Sequence, residues 1–278
     1  LELFRSANFA PARTSKSADV GQDYDHTANS GMLGAPSMTN DKLSLPFDHV
    51  AAHEFLSRTD KHLARVIERT GGFQFKLDEC ESVYESLLEA IAYQSISGKA
   101  AATIFARIKA LGANGICPTP QEILRARPQT LRKAGLSGAK VLAMKDLAKK
   151  TVEGVVPTLP DANKMSDEEL VERLISVRGI GAWTVEMFLI FRLGRPDVLP
   201  IHDYGVQKGF AITYGKPHIP KPRELAEFGE RWRPYRTVAS WYMWRAVQQA
   251  GSEARKVKKQ PPKKKLVPNR KKRRRKAR

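Results

Sequence analysis

The residues best suited to do chemistry fall in three stretches of the chain. The first is Val177-Arg178-Gly179-Ile180-Gly181, which separates two helical patterns. Two glycines around an aliphatic residue permit a tight hairpin with positive-φ positions, with Ile180 as the plug between the helices. Bare backbone N–H groups at the start of the next helix form a phosphate site that reads no sequence. An ordinary helix–helix turn fits the pentapeptide as well. The second stretch runs from Leu193 through Arg195-Pro196-Asp197 to Asp203-Tyr204-Gly205-Val206, with Asp203 placed 22 residues after Gly181. A carboxylate at a helix start is favoured in its charged form by the helix dipole, and a plain N-cap aspartate is the alternative. The third stretch is Trp232-Arg233-Pro234-Tyr235-Arg236 followed by Trp241, Met243 and Trp244, which gathers three of the four tryptophans into 13 residues. Core packing is the alternative for each of these rings.

Taken together, Gly-Ile-Gly-x-Trp-Thr, Leu-Gly-Arg-Pro-Asp-Val-Leu-Pro-x-x-Asp and Trp-Arg-Pro-Tyr-Arg resemble the helix–hairpin–helix DNA glycosylase superfamily, and within it 3-methyladenine DNA glycosylase II. The resemblance covers about residues 50–250. It is looser around Gln94-Ser95-Ile96-Ser97 and Lys99-Ala100-Ala101. It implies hydrolysis of the N-glycosidic bond of alkylated purines in double-stranded DNA, after the damaged base has been flipped out of the stack. Cationic bases such as N3-methyladenine already leave well. The enzyme must mainly stabilise an oxocarbenium-like sugar and admit water, and one carboxylate can do both. The resemblance gives that part to Asp203. It makes Trp183 and Trp244 walls of the base pocket, with Tyr204 as a weaker candidate, and it makes Gly179, Ile180 and Gly181 the phosphate-binding hairpin. Lyase members carry an imine-forming lysine where this chain has Trp183, so a monofunctional enzyme is expected. The wedge that fills the gap left by the flipped base falls at Ile96 or Ser97, although Ile96 fits a core position equally well. No cofactor and no side-chain metal site are expected. Hairpin carbonyls in relatives hold a monovalent cation, and the resemblance implies the same here.

These residues need helices to position them. Phe47, Val50, Ala51, Phe55, Leu63, Val66 and Ile67 follow an interrupted helical spacing that Gly71-Gly72 stops. Further helices are expected near 80–93, 98–111, 120–125, 128–134 and 138–152, with a loop over Gly154–Pro160. Ser166 and Glu169 form a capping box that starts the helix leading to the hairpin. Ala182–Leu193 is apolar almost all round, as a central buried helix would be. Helices near 204–214, 222–230 and 234–249 complete an all-α body of about eleven helices. In the glycosylase fold these form two helical subdomains with the active site in the cleft between them. Residues 1–45 lack any periodicity and are expected to be disordered, residues 46–254 form the helical domain, and 255–278 form a disordered basic tail.

Charge and composition narrow the classes further. The net charge is +19, but residues 255–278 hold 15 Lys and Arg with no acid, which leaves the body at +4. Such a tail suits a polyanion. Two cysteines, Cys80 and Cys117, are too few for a disulfide framework, a four-cysteine zinc site or a four-cysteine iron–sulfur cluster. Gly179-Ile180-Gly181 is not a dinucleotide fingerprint, there is no P-loop, and His49 and His53 lack the glutamate spacing of a zinc protease. No apolar run is long enough for a membrane span. The expectation is a DNA-bound monomer in a bacterial cytoplasm or a eukaryotic nucleus, not a secreted protein. The competing reading is a helix–hairpin–helix DNA-binding protein without chemistry. An aspartate kept within its full motif argues against that reading.

Overall fold

The structure, a computed structural model, describes residues 45–259. The expected N-terminal disordered segment, but for its last residue, and residues 260–278 of the basic tail lie outside the described residues. Among the described residues there is no strand, and none of the helices is long and apolar enough to cross a membrane. Thirteen α-helices are described: α1 (His49–Thr59), α2 (Lys61–Thr70), α3 (Val83–Tyr93), α4 (Gly98–Lys109), α5 (Pro120–Arg125), α6 (Pro128–Lys133), α7 (Gly138–Val152), α8 (Leu159–Lys164), α9 (Asp167–Ile175), α10 (Ala182–Phe191), α11 (Tyr204–Thr213), α12 (Pro222–Gly229) and α13 (Arg236–Lys259).

Local chemistry sets most of the helix starts. Asp48, Asp60, Ser82, Thr119, Ser137, Thr158, Ser166 and Asp203 each accept a first-turn backbone N–H. The capping box at Ser166 and Glu169 is present as expected, and a second one joins Thr119 to Glu122. Asp60 does more than cap α2. Its Oδ2 also accepts from the Tyr214 hydroxyl and, at 3.3 Å, from Trp232 Nε1, which ties the N-terminal helices to the C-terminal ones.

The helices pack in two groups around one continuous apolar core. One group joins α1, α2, α11, α12 and α13; the other joins α3 to α7, and α9 packs on α10, which touches α3. The tightest approach is α11 on α13. A Cβ at Gly209 would lie 2.1 Å from the Met243 carbonyl oxygen, so only glycine allows it.

Four sequence expectations change. The first helical stretch is two helices, because Asp60 ends α1 and caps α2. Val50, read as part of the apolar pattern, is exposed. The loop expected over Gly154–Pro160 gives way to α8 at Leu159, where Thr158 caps and Pro160 stands in the first turn. The last helix runs ten residues beyond its expected end and enters the tail's first residues, reaching Lys259, because Ala, Gln, Glu, Arg and Lys favour continuation.

Candidate active site

Asp203 is the N-cap of α11. Its Oδ1 accepts the Val206 N–H at 2.8 Å and the Trp244 indole N–H at 2.8 Å. Its Oδ2 accepts the Trp183 indole N–H at 2.9 Å. The residue is only 3% exposed. Every partner is a donor, the set an ionised carboxylate needs, and charge-assisted bonds of this kind are the strong ones. Trp183 comes from the first turn of α10 and Trp244 from α13, so three helices converge on one carboxylate. The Trp244 ring stacks on Phe191, with centroids 5.7 Å apart. Tyr204 is largely exposed, with Lys208 Nζ 6.0 Å from its ring centre.

The loop that delivers Asp203 is clamped by the third sequence stretch. Arg236 Nε and Arg233 Nη1 reach the two Asp197 oxygens at 2.8 and 2.6 Å. The Thr237 hydroxyl donates to the Arg195 carbonyl at 2.6 Å and accepts the Val198 N–H at 3.0 Å. Arg195 Nη2 in turn donates to the Ala162 and Met165 carbonyls at the end of α8. The arginines of Trp-Arg-Pro-Tyr-Arg therefore hold the aspartate loop in place. Trp232 and Trp241 are core rings.

The hairpin between α9 and α10 turns on Gly179, whose φ is +79°, and Ile180 is buried as the plug. Gly181 is the N-cap of α10 and makes no side-chain cap bond; the Thr184 N–H donates to the Gly181 carbonyl at 2.9 Å, which leaves the Ala182 and Trp183 N–H groups with capacity for an anion. Asp146 of α7 accepts the Arg178 N–H at 2.7 Å and pairs with Lys150 Nζ at 3.0 Å. Burial works against the Asp146 charge, but these partners outweigh it and hold its pKa below the usual carboxylate value. Lys150 also donates to the Ser176 carbonyl, and Gln94 Nε2 donates to the Gly179 carbonyl at 2.8 Å. The Val177 carbonyl accepts the Ile180 N–H. A carbonyl oxygen has two lone pairs, so Val177 and Gly179 each retain one, while the Ser176 carbonyl faces the Lys150 ammonium.

Gln94 also begins the segment in which the wedge is expected. Ser95 follows with φ +59°, a left-handed conformation unusual for serine. Ile96 is 39% exposed, so it is not a core residue. Ser97 is exposed and caps α4 without a side-chain bond. Among the described residues, no group of His, Cys, Asp or Glu is arranged to hold a metal ion.

The geometry has counterparts among known proteins. Residues 88–234 match the family model described as "HhH-GPD superfamily base excision DNA repair protein". The chain belongs to the HhH-GPD superfamily. The matched span contains the hairpin, Trp183 and Asp203 but stops short of Trp244. DNA-3-methyladenine glycosylase 1 of Schizosaccharomyces pombe is 38% identical over 196 residues, covering 70% of this chain and 86% of the relative. DNA-3-methyladenine glycosylase 2 of Escherichia coli is 30% identical over 179 residues, covering 61% and 59% of the two chains. The solved structure of the S. pombe enzyme in complex with abasic DNA superposes with a TM-score of 0.65 at 37% identity, covering 71% of this chain and 97% of that one. A DNA-3-methyladenine glycosidase structure from Bacillus halodurans gives 0.67 at 30% identity, covering 76% and 94%.

In this HhH-GPD protein several site residues escape a sequence reading. Gly205 must be glycine, because a Cβ there would stand 2.7 Å from Trp244 Cδ1 and 2.9 Å from Asp203 Oδ1. Its place two residues after Asp203 was the available signal. Asp146 and Gln94 reach the hairpin from 32 and 85 residues away and left none. Glu186 was visible as the one charged residue in the apolar α10. It is half-buried, and burial, reinforced by the Asp203 charge, pushes its pKa up to about 7.

Proposed function

We propose that the chain is a monofunctional, monomeric DNA glycosylase that hydrolyses the N-glycosidic bond of alkylated purines in double-stranded DNA, at the base-excision step of repair in a nucleoid or nucleus. The observation that carries this reading is Asp203, a buried carboxylate fixed by three N–H donors within the family's matched span. A fixed charge is what an oxocarbenium-like sugar requires, because it needs no reorganisation as positive charge develops. The α10 N-terminus and the hairpin would hold a phosphate, and a monovalent cation on the spare carbonyl lone pairs would add positive charge beside it. The base would enter between the two helix groups. Trp183 and Trp244 would offer ring faces there while their N–H edges hold Asp203, and a cationic base gains from such faces. The exposed Ile96, beside Ser97, would fill the gap left in the duplex.

Position 183 offers an indole where a lyase needs an amine. Base loss should therefore leave an abasic site with no strand cut, and borohydride should trap no enzyme–DNA adduct. The deciding experiment is base release from duplexes carrying a panel of alkylated, deaminated and oxidised purines. Release of N3- and N7-alkylated purines ahead of the others supports the reading. Binding without release of any base would leave only a DNA-binding protein.

A further inference from the structure

The site holds a second carboxyl to which the glycosylase reading gives no task. Glu186 lies three residues after Trp183 on α10. Side chains at i and i+3 share a helix face, with Cβ atoms roughly 5–6 Å apart. Trp183 spends its indole N–H on Asp203, so the face turned toward Asp203 carries Glu186 as well. Oε2 of Glu186 is buried and has no hydrogen-bond partner in the protein. A bare buried oxygen is costly, more so when charged, and folded proteins relieve that cost with an ordered water or a ligand.

The acceptor count at Asp203 is complementary. Oδ1 already takes two N–H donors, from Val206 and Trp244. Oδ2 takes one, from Trp183, and keeps one lone pair in hand. One spare lone pair on Asp203 and one bare oxygen on Glu186 therefore serve the same side of α10. Two acceptors placed so are what a single water needs in order to donate both of its hydrogens.

We infer that Glu186 is the general base of the reaction, holding the attacking water against Oδ2 of Asp203 and taking its proton. This deepens the glycosylase reading and rests on it. The water oxygen bonds to C1′ of the sugar while the C1′–N bond breaks. The electron pair of that bond leaves with the purine, so a cationic lesion departs as a neutral base. The water's proton passes to Glu186 and from there to solvent. Asp203 remains charged throughout, opposite the developing sugar cation. The labour is thus divided between two carboxyls, where the simpler account gives both tasks to Asp203.

The titration of Glu186 agrees with the geometry. Burial first, and the Asp203 charge second, lift it to about 7, where a base working near neutral pH is most effective. Two neighbouring carboxyls held in different environments are the usual basis for assigning separate roles. Helices α9 and α3 also pack against α10, but the charge acting on Glu186 is that of Asp203. Glu89 of α3 is engaged by Arg192 at 2.8 Å.

The test is single-turnover release of N7-methylguanine from duplex DNA by the full chain between pH 5.5 and 8.5, for the wild type and Glu186→Gln. Binding to a duplex with an abasic analogue is measured alongside. The wild-type rate should rise with pH and level off above an inflection near 7. Glu186→Gln should lose the inflection, fall about 100-fold at pH 8 and lie close to wild type at pH 5.5, with duplex binding unchanged within about twofold. A Glu186→Gln variant that keeps both the wild-type rate and the inflection overturns the inference. Should that variant fail to fold, the wild-type profile decides alone. Base release with a flat profile overturns the role of Glu186 and leaves the glycosylase reading standing, whereas no release at all overturns both.

Discussion

The indole nitrogen of Trp244 stands 2.8 Å from Oδ1 of Asp203, across the junction of α13 and α11. A tryptophan that looks from the sequence like a pocket wall or a core ring is here a hydrogen-bond donor to the candidate catalytic carboxylate. Trp183 does the same from α10 at 2.9 Å. The edge of each ring holds Asp203; the face of each, half-buried at Trp183 and only 6% exposed and stacked on Phe191 at Trp244, is the part proposed to meet a base.

Conservative and drastic substitutions should separate these tasks. Trp244→Phe and Trp183→Phe keep a ring face but remove the N–H. A hydrogen bond to a charged group is worth about 1.5–3 kcal/mol, so each should slow single-turnover excision by roughly 10- to 150-fold, equally for cationic and neutral lesions. Trp→Ala at either position removes the face as well. It should cost cationic N3- and N7-alkylated purines a further factor of about two to thirty over neutral hypoxanthine. Melting temperatures measured for all four variants distinguish site effects from core damage. Equal losses for both lesion classes in the alanine variants, with a large fall in melting temperature, would return the rings to a purely structural role.

Asp203→Asn should nearly abolish excision while binding to abasic-analogue DNA persists, because the charge acts on the transition state and the phosphate contacts hold the duplex. The structure adds a stability cost. An amide has one acceptor oxygen and an NH₂ group, so it cannot accept from Val206, Trp183 and Trp244 together, and one N–H must face a donor. A loss of about 1–3 kcal/mol in unfolding free energy is expected, measurable by denaturant titration. Excision by the Asn variant at the parent rate would remove Asp203 from the mechanism.

Gly205→Ala tests the packing behind the site. The new methyl would press on both Trp244 and Asp203, at 2.7 and 2.9 Å. Excision should fall at least roughly 100-fold, with a smaller effect on DNA binding, since the hairpin lies on another helix pair. A fully active Gly205→Ala enzyme would show that the Asp203–Trp244 geometry has slack that the structure does not suggest.

The parts legible in the sequence were those written locally. Gly-Ile-Gly between helical patterns gave away the hairpin, and Ser166 with Glu169 marked the helix leading into it. Asp203 stood out because a cap position and a spaced motif coincided. The parts that stayed hidden depend on contacts between distant segments. Asp60 meets Tyr214 and Trp232 from 154 and 172 residues away, Asp197 meets Arg233 and Arg236, and Gln94 meets Gly179. No periodicity encodes such pairs. Ile96 stayed open between wedge and core because exposure is decided by the strained turn at Ser95, which a serine does not announce.

Removing residues 260–278 should leave the excised-base spectrum unchanged and weaken DNA affinity. The cut falls after α13, which ends at Lys259, so the helix is spared. The removed segment carries 11 Lys and Arg. For every DNA phosphate that the tail neutralises in the full chain, the slope of log affinity against log salt should become shallower by about 0.9 on truncation. An unchanged slope in a salt titration would mean that these charges do not touch DNA.

The pH dependence of folding offers an independent view of Glu186. Its carboxyl is raised from about 4.5 to about 7 in the folded chain, by burial first and by Asp203 second. The folded state therefore holds this proton more tightly than the unfolded state does. The associated stability is fully present below about 4.5 and is lost as the pH rises toward 7, beyond which the loss is constant. A tenfold difference in proton affinity between the two states is worth about 1.4 kcal/mol, which bounds the effect at a few kcal/mol. Asp78, Glu89 and Asp167 are also raised by burial and act in the same direction, so the wild-type curve alone does not isolate Glu186. The difference between Glu186→Gln and wild type does, because the amide does not titrate and the other carboxyls cancel. Glu186→Gln should gain stability relative to wild type between about pH 4.5 and 7, and the difference should be flat above about 7.5 in urea unfolding at matched ionic strength. A difference independent of pH over that range would mean that Glu186 titrates normally, and the burial that singles it out would have no energetic consequence.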